Sequence, residues 1–198
     1  RPSAVPPPAT PTPRRDPHHV HSTGLRNVTV NNCNISDAAG NSSVDGGVNL
    51  RNTSGTIAIT ASSITGSRHH GVSIDNLNTN MAGLTMTSTT ISGSVGGDGM
   101  LVQLRGTSVL TSGTIGGAAA ANGNTFANNI STGLQVAGAD TGNVLALTVK
   151  NNAANNNNAG MDFDLSQAAS MSLDVESNSF NNQQSSALNF FAGTTTGG

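Results

Sequence analysis

A hydrophobic beat that returns at nearly even intervals restricts this chain to few architectures. Two apolar residues flank a polar one, and a third apolar residue follows five positions later: Val28-x-Val30 then Ile35, Ile57-x-Ile59 then Ile64, Leu84-x-Met86 then Ile91, Leu147-x-Val149 then Ala154, Leu173-x-Val175 then Phe180. Between these units lies a second alternating strand, usually opened by glycine. It begins at Gly47, Gly71, Gly99, Gly133 and Gly160, with Ala187 in the same place at the end, at spacings of 24, 28, 34, 27 and 27 residues. Period-two alternation marks strands, and a repeat of this length marks a solenoid whose coils stack on one another.

Aligning the repeats predicts five inward columns. The first holds Val48, Val72, Met100, Leu134, Met161 and Leu188, and the second Leu50, Ile74, Val102, Val136, Phe163 and Phe190. The third holds Val28, Ile57, Leu84, Leu147 and Leu173, and the fourth Val30, Ile59, Met86, Val149 and Val175. The fifth runs Ile35, Ile64, Ile91, Ala154 and Phe180. Asparagines crowd the turns, where they tolerate left-handed backbone and form hydrogen-bonded ladders between stacked rungs. The longest interval contains TSGTIGGAAAANGNTF, residues 111–126, and predicts a loop bulging from the coil.

Only 34% of the 198 residues are hydrophobic, low for a globule of this size but sufficient for a coil with a narrow core. Charged residues make up 9%, which separates the chain from highly charged disordered sequences. The leader differs. All seven prolines fall in the first 17 residues, so residues 1–23 read as a disordered Pro-rich linker or tail and 24–198 as the solenoid. His18, His19 and His21 close that tail without acidic or thiol neighbours, a pattern read as incidental rather than as a metal cluster.

Charge excludes a nucleic-acid surface. Three arginines against one aspartate give the leader +2, and the remainder sets five basic residues against nine acidic ones, or −4. No apolar run approaches membrane-span length, so this segment is not expected to insert directly into a membrane. The one cysteine, Cys33, cannot form an internal disulfide. The sequence GGDG at Gly96–Gly99 occurs once, which fits a turn better than a repeated calcium site.

These columns and turns resemble the right-handed parallel β-helix of the pectin-lyase-like superfamily. The expected fold is therefore all-β, a right-handed parallel β-helix of about six coils. A second resemblance is local. Arg68-His69-His70-Gly71-Val72-Ser73-Ile74-Asp75 is similar to the glycine-histidine-glycine segment of polygalacturonases. That likeness implies His70 as an active-site histidine, with Asp45 one coil earlier near the family's paired aspartates. The departures are Gly46 after Asp45, His69 before His70, and no counterpart of that family's Asn-Thr-Asp or Arg-Ile-Lys segments.

Outward positions on the glycine-opened strands supply the other candidates. Asp162 and Asp164 lie two residues apart on one side and would serve as acid and base or as calcium ligands. Their ordinary reading is as solvated surface charges. Arg51 and Asp75 are expected as rung neighbours forming a surface ion pair. A lyase would require a base beside the acidic pair, and Lys150 is the candidate.

Two functions follow as expectations. The first is a secreted or cell-surface module with a structural or adhesive, non-catalytic role, such as a bacterial autotransporter or adhesin-type passenger. Its partners would be a polysaccharide or a host or neighbouring-cell surface, with further coils, a cap or a barrel in the parent chain. The second is a carbohydrate-active fragment, either a polysaccharide lyase or a polygalacturonase-like hydrolase, acting on acidic polysaccharides. No cofactor is implied, and calcium enters only under the lyase alternative.

Overall fold

The computed structural model describes residues 20–36 and 46–193. The disorder expected of the proline-rich leader, the positions of His18 and His19, and Asp45 all lie outside the described residues.

Three strands make each coil, except the fourth, where the second-sheet strand is split in two. The first comprises β1 (Val20–Thr23), β2 (Arg26–Asn31) and β3 (Asn34–Ser36), and the second β4 (Val48–Arg51), β5 (Ser54–Thr60) and β6 (Ser63–Thr65). The third comprises β7 (Val72–Leu77), β8 (Met81–Thr87) and β9 (Thr90–Ser92). The fourth has β10 (Met100–Arg105), β11 (Val109–Leu110), β12 (Gly113–Gly116) and β13 (Thr125–Ala127). The fifth has β14 (Thr132–Gly138), β15 (Asn143–Lys150) and β16 (Ala153–Asn155), and the sixth β17 (Ala159–Ser166), β18 (Ser170–Glu176) and β19 (Ser179–Asn181). Strand β20 (Leu188–Gly193) begins another. Equivalent strands pair in parallel, giving three sheets along an all-β solenoid of about six turns.

The register reproduces the columns. Val48, Val72, Met100, Leu134 and Met161 stand over one another in the first sheet. Ile35, Ile64, Ile91, Phe126, Ala154 and Phe180 do so in the third. From Val48 through Val149 nearly every inward side chain is excluded from water, and each such burial stabilises the coil by about 1.5–3 kcal/mol. Opening glycines are needed where coils approach closely: a Cβ on Gly133 would stand 2.7 Å from the Gly160 carbonyl oxygen.

Two expectations need correction. The stretch 111–126 is not one loop. Gly113–Gly116 forms β12 between β8 and β15, Ile115 is fully buried, and Phe126 fills the third-sheet column. Only the middle leaves the coil, through a short 3-10 turn at Ala120–Asn122. The solenoid also starts before residue 24, because Val20–Thr23 pairs with Val48–Arg51 and extends the first sheet by one rung.

Asparagine acts in two ways. Outer corners place Asn52, Asn78 and Asn151 at φ of +47°, +54° and +58°, a region this residue tolerates well. Inside, side-chain amides form ladders along the axis. Asn152 Oδ1 accepts from the Asn124 N–H at 3.0 Å, and Asn178 Oδ1 accepts from the Asn152 N–H at 2.9 Å. A second ladder runs from Ser94 through Asn129 and Asn157 to Gln183. These amides satisfy backbone groups at the corners, where the sheet hydrogen bonds stop.

Candidate functional site

A depression of about 160 Å³ opens on the first sheet across β4, β7 and β10. Its rim carries Arg51 from β4, Ser73 and Asp75 from β7, and Leu101 and Gln103 from β10. His69 and His70 close one end, at the corner before β7. Alternation explains the content: Val72 and Ile74 turn inward, so Ser73 and Asp75 face out on the same strand.

The residue before each opening glycine forms a column of its own: His70, Asp98, Thr132. His70 Nδ1 lies 3.0 Å from the Asp98 backbone nitrogen and 3.3 Å from Asp98 Oδ2. One ring nitrogen cannot accept from the first and donate to the second at once. The shorter contact has a fixed N–H aimed at the ring, so we assign Nδ1 as an acceptor. A neutral His70 then carries its proton on Nε2. His70 lines the depression, and Asp98 does not. Gly97 makes the seat possible, since a Cβ there would stand 2.8 Å from His70 Nδ1.

Asp98 is nearly buried and ties three coils together, its Oδ1 accepting the Thr132 N–H at 2.9 Å. Burial pushes its carboxyl up, but hydrogen bonds involving His70, Ser131 and the Thr132 backbone outweigh burial and hold it below the usual range. The His70 part of that stabilisation operates only when Nδ1 is protonated. His69 packs edge-on against His70, with ring centroids 4.2 Å apart, and its buried Nδ1 has no hydrogen-bond partner among the described residues.

Burial and the neighbouring His70 lower the His69 pKa, while Asp98 opposes them weakly. The unfolded chain therefore takes up this proton first. The stability tied to His69 is complete above its unfolded pKa of about 6.5 and is lost as pH falls through that value toward the lower folded one. Thermal unfolding of His69→Gln should accordingly lose less between pH 7.5 and pH 5.5 than the parent does. Equal losses in both proteins would remove His69 as the cause.

Several sequence candidates shift in role. Asp75 does not take its ion pair from Arg51. Arg105 reaches back from β10 and grips both carboxylate oxygens, Nη2 lying 2.7 Å from Oδ1 and 2.8 Å from Oδ2. Arg51 makes no ion pair among the described residues. Lys150 is not beside the Asp162/Asp164 pair, because it sits on the second sheet and binds Asp174 and Glu176 at 2.8 and 2.9 Å.

Asp162 and Asp164 do face one side of β17, alternating with the buried Met161 and Phe163. Burial first, with the charges of Asp164 and Asp98, raises the Asp162 pKa against an opposing hydrogen bond from Asn189. The pair remains apart from His70. Ser73, Leu101, Gln135 and Asp162 occupy successive rungs, so Asp162 stands three rungs from Ser73, roughly 14 Å at about 4.8 Å per rung.

Asp98 and Arg105 are the site residues that sequence reasoning missed. Aligning residues immediately before the opening glycines would have placed Asp98 over His70. No sequence pattern singles out Arg105. Among the described residues, no group of three metal-ligating side chains occurs. The chain matches no known protein family, no curated protein and no solved structure.

Proposed function

We propose that this chain is a non-catalytic structural and contact-making module of an extracellular or cell-surface protein. On this reading it is a passenger-type segment of the pectin-lyase-like β-helix kind, in which outward faces meet a polysaccharide or a neighbouring surface. The observation that supports it most is the state of His70. With Nδ1 accepting from a backbone N–H, a neutral His70 keeps its proton on Nε2 and has no free ring lone pair to serve as the base that bond cleavage would need. The carboxylates of β17 stand three rungs from Ser73, and Asp75 on the rim is held on both oxygens by Arg105.

One observation favours the second reading, a carbohydrate-active enzyme. Burial first, then the neighbouring Asp164 and Asp98, raises the Asp162 pKa, the direction a general acid needs. Incubation with pectate, alginate and neutral glycans, with and without calcium, separates the two. The module reading expects no new reducing ends and no unsaturated products. Turnover that Asp162→Asn abolishes would overturn it in favour of the enzyme.

A further inference from the structure

We propose that the corner joining the third coil to the fourth is a proton-operated switch, in which His70 Nδ1 exchanges the Asp98 backbone N–H for the Asp98 carboxylate when the ring takes up a proton. Such a switch would operate whatever the outward faces bind.

Two groups of one residue compete for one ring nitrogen. Nδ1 lies 3.0 Å from the Asp98 nitrogen and 3.3 Å from Asp98 Oδ2. A neutral ring serves the first, because its bare Nδ1 accepts the fixed N–H. A protonated ring carries a hydrogen on Nδ1, so two donors then face each other across 3.0 Å. The carboxylate oxygen beside them is the acceptor that an imidazolium needs, and a charge-assisted bond to it is the stronger kind. Protonation therefore moves Nδ1 to Oδ2. It leaves the Asp98 N–H without its acceptor in a residue only 4% exposed.

The groups around the ring favour this exchange over others. Burial pushes the Asp98 carboxyl up, but hydrogen bonds involving His70, Ser131 and the Thr132 backbone outweigh burial and keep it ionised. His69, packed edge-on against His70, takes its own proton at lower pH, since burial and His70 lower it against a weaker pull from Asp98. Across the depression that His70 lines, Arg51 on β4 opposes a further positive charge, and Asp75 on β7 is held by Arg105 from β10. Among the described residues, Asp98 is the carboxylate that reaches the ring. Its other bonds do not involve Nδ1: its carbonyl accepts the Gly71 N–H at 3.0 Å, and its Oδ1 accepts the Thr132 N–H at 2.9 Å. The change is thus confined to this corner.

The test is hydrogen exchange of the isotope-labelled chain, followed by NMR at about pH 7.5 and again below the titration of the His70 ring, tracked in the same samples. Each amide is compared with its free-chain rate at the same pH. The Asp98 N–H should lose protection about tenfold or more on the acid side. The Gly160 N–H, which donates to the Ser186 carbonyl at a corner without histidine, should keep its protection within about twofold. His70→Asn puts a carbonyl oxygen near the place of Nδ1 and takes up no proton, so its Asp98 N–H should be equally protected at both pH values. His69→Gln should retain the parent's loss. Nitrogen NMR of the parent ring needs no variant: Nδ1 should be bare at about pH 7.5 and protonated once the ring has titrated. A protonated Nδ1 at the higher pH overturns the proposal, as does a ring that stays neutral until the chain unfolds. Unchanged protection of the Asp98 N–H in the parent, the same loss in His70→Asn, or its disappearance in His69→Gln would overturn it equally.

Discussion

Asn152→Ala should lower the stability of the solenoid by about 2–4 kcal/mol, measured as a shift of the chemical denaturation midpoint at constant slope. The side chain is 1% exposed and makes four hydrogen bonds. Its Oδ1 accepts from the Asn124 N–H and Nδ2, and its own Nδ2 donates to the Ile115 carbonyl and to Asn178 Oδ1. Alanine leaves the Asn124 N–H buried without an acceptor at a corner that no sheet bond reaches. Asn178 Oδ1 keeps its bond from the Asn152 N–H, so the ladder is cut on one side only.

The control is Asn158→Ala, a nearby turn residue that is exposed and holds the coil through its backbone N–H to Ser131. It should change stability by no more than about 0.5 kcal/mol. Neither residue has a positive φ, so if both substitutions cost the same the loss at Asn152 does not come from the internal ladder. A large difference fixes the role on the amide.

The columns were legible because inward-facing apolar residues recur with period two, and stacking coils repeats that signal at each rung. The fourth coil hid its rung for a physical reason. Gly113 occupies the place of leucine in the beat, and the Leu147 and Leu110 side chains fill the space its missing Cβ leaves, a built Cβ standing 2.7 and 3.3 Å from them. The Leu-x-Val pattern thus becomes Gly-x-Ile, and the alanine run that follows lengthens the interval. The same column logic placed Ser73, Asp75, Asp162 and Asp164 on outward faces.

It could not assign partners between coils. Arg51 and Asp75 are register neighbours, but the longer reach of Arg105 gives a bidentate geometry that strand register does not encode. His70 was visible as a histidine at a corner. Its role as a donor depends on which atom of Asp98 meets Nδ1, a matter of about 0.3 Å between two contacts.

Phe126→Ala should be the more damaging change, at about 3–5 kcal/mol. The ring is fully buried on β13, with Ile91 on one neighbouring rung and Ala154 on the other. Large stands over small here. The phenylalanine fills volume that Ala154 leaves, so truncation sets alanine over alanine and opens a cavity that the hydrogen-bonded coils cannot close. Because each coil touches only its neighbours, the loss should stay local. Hydrogen exchange should quicken in β9, β13 and β16 and in the coil segments joined to them, while β2 and β5 keep their protection. Pairing Phe126→Ala with Ala154→Phe returns a ring to the adjacent rung and should recover part of the stability. Uniform loss of protection along the whole chain would mean that the solenoid unfolds as one unit. The depression on the first sheet would then depend on every coil, not only on the three that form it.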